Sequence, residues 1–434
     1  MLGGANASDE GSFRFILANK ALAATSAGIQ GIALPWLILE LTGSPLHLGV
    51  AFALRTAPDV LLAPVVGTAI DSLPRKWVFV AAEGLRGLTL LTLPALALSG
   101  GLAIWHVFVA MVGLSVFTSL AYNTRRTILP SVVDESALDR ANSRLQGVDA
   151  VLSLAFVGVG GGFLATIGTA YALLAAVVGS LLAGVVLLPL GLPEREGADV
   201  PGRFGLVEGI PSGQRGARVL SAATRVLESV RERGREGVGA IRRNRLLLEL
   251  LALGIAVNLF MVPIPSVLVP TLGRDVFGGA VGFTVLLLGL RGGMVAGNWV
   301  AGWLGWTARR KILAGLLLVG VAAVSVVVGV SALRWLGWLP GLLLASAALF
   351  LVGVGQPLFN VPTSSLLQAA PEESDRGRVV TFVNSVLQAS FPIPLLLAGA
   401  AVTVLSPVWL FVVGGVGLIG VGIAVERRFE LRPA

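Results

Sequence analysis

The residues of this chain with chemistry to offer are ionisable groups set inside apolar runs. Arg55 and Asp59 stand four apart and Glu83 and Arg86 three apart, so each pair shares a face if its segment is helical. Asp149 and Arg291 sit singly within other apolar runs, and Asp71, Arg75 and Lys76 crowd the end of one. Charges in such surroundings are costly; they are kept as proton or ion sites, as self-closing ion pairs, or as contacts to a charged solute. Sets for bond-breaking chemistry are missing. There is no cysteine, hence no thiolate, disulfide or iron–sulfur site. The two histidines, His47 and His106, are far apart and lack a metal-ligand spacing such as H-E-x-x-H. No nucleophile–base cluster and no Walker A motif occur, so neither an enzyme nor a cofactor, a metal or ATP is expected.

The segments that carry these residues need a lipid solvent. Of 434 residues, 55% are hydrophobic and 13% charged, and mean hydropathy is +0.87. A soluble domain carries about a quarter charged residues; half that fraction cannot wet a globule. The net charge of +8 lies in short loops between apolar runs, which marks topology and not nucleic-acid binding. Lysine is rare (Lys20, Lys76, Lys311), and the arginine excess reads as genome composition.

A spanning helix needs about 20 apolar residues. Spans are predicted at 14–41, 46–71, 76–98, 102–128, 139–166, 169–191, 245–271, 278–304, 309–331, 338–366, 375–402 and 407–425. Arg75 and Lys76, then Arg125, Arg126, Arg140 and Arg144, then Arg309, Arg310 and Lys311, then Arg376 and Arg378, and finally Arg427 and Arg428 fall in alternate connections. Positive loops stay inside, so both termini are expected in the cytoplasm of a multi-pass cell-membrane protein, with no cleavable signal peptide. Segment 192–244 separates an N-terminal half (1–191) from a C-terminal half (245–434). Its second part spaces Val219, Leu220, Ala223, Val226 and Leu227 helically opposite arginine and glutamate, the pattern of a basic amphipathic helix on a membrane surface or of a tether.

The halves echo each other. G-T-A-I-D-S-L-P-R-K (67–76) aligns at constant offset with G-W-L-G-W-T-A-R-R-K (302–311). Asn123 and Pro130 precede acid and arginine, as Asn360 and Pro371 do. Two six-helix repeats are the mark of a parallel-repeat transporter. On these residues, and on A-L-P-W-L-I-L-E-L-T-G-S-P (33–45), Glu83-x-x-Arg86, Arg140-Ala-Asn142 and Pro371-Glu-Glu-x-x-Arg376-Gly-Arg378, the chain resembles the major facilitator superfamily. Within it, the chain is most similar to prokaryotic exporters of the enterobactin-exporter and macrolide-efflux branch. The resemblance implies an all-α membrane fold of twelve transmembrane helices in two pseudo-symmetric halves. It also implies a loop latch between halves at Asp71, Arg75 and Lys76, beside the plainer reading of a topogenic charge cluster, and a central cavity lined by spans 2, 5, 8 and 11; Glu83 and Arg86, three apart, read as a structural pair supporting the same mouth. The second-half loop has Trp306 near the place of the acid, and the Gly158–Gly162 run lacks the proline of the drug-exporter antiporter motif.

Asp59 lies about 18 Å along a helix from Asp71, near the membrane midplane. Arg55 and Asp59 are then a proton or substrate-ion site or an ion pair satisfied by itself; both readings are open. Arg291 lies at similar depth and Asp149 inside span 5. Gln30, Asn258, Asn384 and Gln388 add neutral polar groups, whose ordinary use is interhelical hydrogen bonding. Pro263, Pro265 and Pro270 in span 7, and Pro392 and Pro394 in span 11, are expected to bend the outer halves of those spans. Gly415-x-Gly417-x-x-Gly420 matches a nucleotide fingerprint literally, but lies within a span and not between strand and helix.

The expected function is secondary active transport: proton-coupled efflux of small amphipathic or apolar molecules by alternating access, with protons, the small-molecule substrate and the bilayer as partners, by a monomer. Two alternatives stand beside it: uptake of a small anionic solute at Arg55 and Arg291, and a non-transporting receptor or assembly factor on a transporter fold.

Overall fold

The computed structural model describes residues 7–61, 73–191, 239, 244–371, 373 and 375–428. Asp71, the side chain of Asp59 and nearly all of 192–244 lie outside them.

In hydrocarbon every backbone polar group must be satisfied within its own segment, which leaves helices as the economical solution for a chain of apolar runs. Those runs become α1 (Ala7–Thr42), α2 (Pro45–Leu61), α3 (Arg75–Leu98), α4 (Ile104–Ile128), α5 (Leu138–Thr166) and α6 (Thr169–Val185) in the first half. The second half has α7 (Arg245–Met261), α8 (Val269–Asp275), α9 (Ala280–Trp303), α10 (Ala308–Trp335), α11 (Trp338–Ala369), α12 (Arg376–Ala389), α13 (Pro392–Val402) and α14 (Pro407–Arg428). Among the described residues there are no strands. Ten segments are long and apolar enough to cross a membrane, with α7–α8 and α12–α13 each counted as one; α6 is a shorter apolar helix. With α2 these make twelve transmembrane helices.

Local signals set the ends. The side chains of Asn244 and Thr307 accept from the backbone N–H groups of Leu247 and Arg310 at the starts of α7 and α10, removing one orphan donor each. Gly168 and Gly337 precede α6 and α11 at φ of 92° and 90°, a left-handed conformation that favours glycine. The α6 helix stops at Val185, short of the predicted 191, because residues 186–189 pass into turns.

Two spans are broken where proline removes backbone donors. After α7 the chain passes through a π-helical turn, Ile264–Leu268, into α8. The eleventh span divides into α12 and α13 at Ser390–Phe391. The breaks support each other: Asn258 of α7 donates to the carbonyl of Leu387 at 3.3 Å and contacts the Ser390 hydroxyl at 3.2 Å.

Packing repeats between the halves. In the first, α3 packs on α4 and α6, and α2 on α4. Six spans later, α10 packs on α11 and α14, and α9 on α11. Small residues permit these approaches: Gly289, Gly293 and Gly297 of α9 meet the α11 backbone at Ser346, Phe350 and Val354. Gly415 of α14 abuts the Gly320 carbonyl of α10, and Gly417 the ring of Phe260, so the fingerprint-like run serves helix contact.

The halves meet through α2 against α13 and α5 against α9, a pair of contacts that the repeat relates to each other. The end of the bundle bearing the 42–45, 167–168 and 276–279 turns is termed distal; the end bearing the start of α1 is proximal. Near the distal end, a side chain at Gly399 of α13 would begin 2.9 Å from the Pro45 carbonyl and 3.2 Å from the Gly49 Cα. Gly161 of α5 likewise leaves no room between itself and Thr284 of α9. Trp36 of α1 stacks on Phe283 of α9, and Arg274 reaches within 3.5 Å of where a side chain at Gly43 would begin.

Candidate functional site

Proximal to this seal, α1 and α5 diverge enough to leave a cleft of about 600 Å³. Its walls are Leu17, Ala18 and Ala21 of α1 and Val148, Val151 and Leu152 of α5, with Gly147 in its lining and Arg14 as its charged member. Gly147 and Val151 lie on the face of α5 that carries Gly158 and Gly161 to α9, by the i, i+4, i+7 periodicity of a helix. The cleft itself lies between two helices of the first half.

On the same turns as Ala21 and Val148, the Lys20 Nζ and the Asp149 Oδ1 form an ion pair at 2.5 Å. Asp149 is the more open partner; 43% of its side chain is accessible against 16% for Lys20. Three cations from three helices feel the Asp149 carboxylate: Lys20 of α1, Arg125 of α4 and Arg291 of α9. Arg291 stands midway along α9 and reaches the first half at Gly31 of α1, where a side chain would begin 3.8 Å from its guanidinium. Among the described residues it forms no hydrogen bond or ion pair within contact distance.

Glu83 and Arg86 lie elsewhere, buried inside the first half at 1% and 8% exposure. They contact at 2.7 Å. Asn19 of α1 donates to Glu83 at 3.3 Å and to the Ala183 carbonyl at 2.9 Å, and Arg86 donates to Ser180 of α6 at 3.1 Å. This network ties α1, α3 and α6 together within one half, away from the junction. Arg75 donates to the carbonyl of Thr127 at 3.2 Å, joining the start of α3 to the end of α4, while Lys76 lies 5.6 Å from the ring centroid of Trp77.

The remaining sequence candidates scatter. Gln30 is buried and donates to Ser26, which donates to the Ala176 carbonyl of α6, so it braces one half. Asn258 is taken up at the break described above. Asn384 and Gln388 are exposed on α12. Arg55 is half-buried on α2, within the same helix as Asp59. The structure thus sets Asp149 and Arg291 within electrostatic range of each other, without contact, and adds two residues that sequence reasoning left out of the site: Lys20 and Arg125. Lys20 carried a usable signal, being a charge within an apolar span; Arg125 looked like another topogenic loop arginine.

Among the described residues no cluster of histidine and carboxylates could hold a metal ion. The arrangement offers a partly open carboxylate paired with a lysine, near an apolar wall. That suits ion and solute binding.

Comparisons with known proteins agree with this architecture. Over 402 residues the chain is 28% identical to the "Multidrug efflux pump Tap" of Mycolicibacterium fortuitum, covering 90% of this chain and 88% of that one. It is 22% identical over 427 residues to "Macrolide efflux protein A" of Streptococcus pyogenes, covering 97% and 96%. Among solved structures it resembles the nucleoside transporter NupG (TM-score 0.69, 11% identity, 96% of this chain and 99% of that one). It also resembles a bacterial homologue of the human lysosomal transporter Spinster in an inward-facing, unoccupied conformation (TM-score 0.68, 12% identity, 98% and 96%). The model of the Major Facilitator Superfamily matches residues 16–368, and the chain is a member of that family of membrane transporters.

Proposed function

We propose that the protein exports small amphipathic or apolar molecules in exchange for protons, by alternating access. The observation that carries this reading is the junction itself. Its distal contacts are tight enough to exclude side chains at Gly161 and Gly399, while an apolar cleft between α1 and α5 and the Lys20–Asp149 pair lie on the proximal side. With both termini and the proximal end in the cytoplasm, as loop charge indicates, this is a closed outer gate above a site loading from within. Asp149 is the group that takes the proton. Ionised, it is held by Lys20 and faces Arg125 and Arg291; protonated, it releases them, which changes the balance between two packings of the halves. The relatives, a multidrug and a macrolide efflux protein, support the outward direction.

The chain divides in this reading into 1–191, a cytoplasmic tether 192–244 and 245–434. Asp71, Arg75 and Lys76 act as a proximal latch in the opposite state, with Asp59 and Arg55 as a second carboxylate–cation pair. Glu83 and Arg86 serve that mouth indirectly by bracing α3. The working unit is the monomer.

Inverted vesicles with an acidic lumen test this directly over a chemically varied panel. Accumulation that collapses with the pH gradient, and that survives in neither Asp149→Asn nor Asp59→Asn, is expected. Unchanged pH dependence in both variants would sink proton coupling through these groups, and absence of any energised accumulation would sink export.

A further inference from the structure

Arg274 and Arg334 flank distal turns, where the topology rule calls for no cations. Arg334 stays exposed in the last turn of its own helix, α10. Arg274 lies in the last turn of α8, in the second half, but reaches the first half. Its two terminal guanidinium nitrogens stand 3.5 and 3.9 Å from where a side chain at Gly43 would begin. Gly43 closes α1 in the left-handed conformation, at φ 65°, and its N–H donates to the Leu39 carbonyl at 2.8 Å. The guanidinium therefore covers the C-terminal end of a helix of 36 residues. Such an end presents unpartnered carbonyls and the negative pole of the helix dipole. The last turn of α1 holds no basic residue to offset that pole. It holds Glu40 instead, whose carboxylate accepts from Thr169 of α6. The offsetting cation comes from the other half of the protein.

Arg274 has a second partner on its own helix. Asp275 approaches it at 3.8 Å, with 35% of the Arg274 side chain and 45% of the Asp275 side chain accessible. We infer that Arg274 is a gating residue: its guanidinium covers the negative end of α1 while the distal end is closed, and passes to Asp275 when the halves part there. This rests on the alternating-access reading and identifies a residue that biases its outer gate. Asp275 travels with Arg274 in both states, whereas the end of α1 is within reach in one. Only the second contact can shift the balance between them. Asp275 opposes closure twice, since it competes for the guanidinium and brings a like charge toward the negative pole of α1. Arg274 thus adds a small charge bias to a seal otherwise made of apolar contact.

The chain has no cysteine, so Thr284→Cys, at the position packed against Gly161, gives a single reporter of distal opening. An impermeant maleimide is applied to right-side-out vesicles and labelling rates are compared in that background. Arg274→Met is expected to label about two- to fivefold faster than the parent, the size of one charge at an exposed helix end, with Arg274→Lys in between. Asp275→Asn should act in the opposite direction and slow labelling, and it should have no effect once Arg274→Met is present. Raising salt from about 0.01 M to about 1 M shortens the Debye length from about 30 Å to about 3 Å. That should speed labelling of the parent and leave Arg274→Met unchanged. Equal rates in the parent and Arg274→Met, faster labelling in Asp275→Asn, or a salt response that survives in Arg274→Met overturns the inference. A reporter that stays unlabelled in every variant overturns it as well. Absence of energised flux with these rate differences intact would leave the latch standing and remove the export reading instead.

Discussion

Trp36 of α1 stacks on Phe283 of α9 across the junction of the halves, ring centroids 6.3 Å apart and planes 18° from parallel. Phe283 is fully buried, so this contact closes the distal end with aromatic surface and not with charge. Such a pair contributes about 0.5–1.5 kcal/mol beyond simple burial. Phe283→Ala is therefore expected to favour the distally open state. A single cysteine placed at Thr284, otherwise packed against Gly161, should then react faster with a membrane-impermeant maleimide applied outside. The chain has no native cysteine to remove. An unchanged labelling rate would show that the stack is not part of the gate.

Gly399→Leu should act in the same direction by overfilling. Its side chain would begin 2.9 Å from the Pro45 carbonyl, on helices whose backbones have nowhere to yield without separating. Overpacking of this kind costs about 1–3 kcal/mol. Transport is expected to fall severalfold with normal membrane expression; wild-type flux would mean that α2 and α13 do not need this contact in the transport cycle.

The buried Glu83–Arg86 network is expected to govern stability more than turnover. Glu83→Ala strands Arg86 and removes an acceptor from Asn19. Breaking one partner of a buried pair costs about 3–5 kcal/mol. Thermal unfolding followed by fluorescence-detected size exclusion should show a clear drop for Glu83→Ala and substantial recovery in a Glu83→Leu, Arg86→Met double variant. No drop would place the pair outside the folding core.

Lys20→Met and Asp149→Asn should not behave alike. Losing Lys20 removes the near partner of a carboxylate that stays ionisable; losing Asp149 removes the proposed proton carrier. Flux in Lys20→Met is expected to keep a pH dependence with altered midpoint, while Asp149→Asn should be flat across pH. Matching flat profiles would assign the coupling to the pair jointly, and matching wild-type profiles would remove both from it.

Much of the architecture was legible because lipid makes sequence patterns strict. Apolar run length fixed the spans, and the echo of Gly67–Lys76 in Gly302–Lys311 fixed the repeat. Prolines 263, 265 and 270 marked a span that is broken, though its π-helical turn and its support by Asn258 required the partner helix. The site was legible in part. Asp149 and Arg291 stood out as charges in apolar runs. Their relation did not, since 142 positions separate them in the sequence and only the meeting of α5 with α9 brings them near. Lys20 is one of only three lysines, but its pairing with Asp149 depends on the rotational phase of α1 against α5, which periodicity does not specify between helices. Glu83 and Arg86 were correctly spaced to pair, but spacing alone could not reveal that they face α1 and α6.

The two glycine contacts at the junction also bear on what it costs to part the halves. Gly399 lies against Pro45 and Gly49, and Gly161 against Thr284, where backbone and small groups meet without an ion pair. Parting such surfaces gives up dispersion contacts, each worth only about 0.1–0.2 kcal/mol, and strands no charge, so the cost of opening grows gradually along each seam instead of falling on one bond.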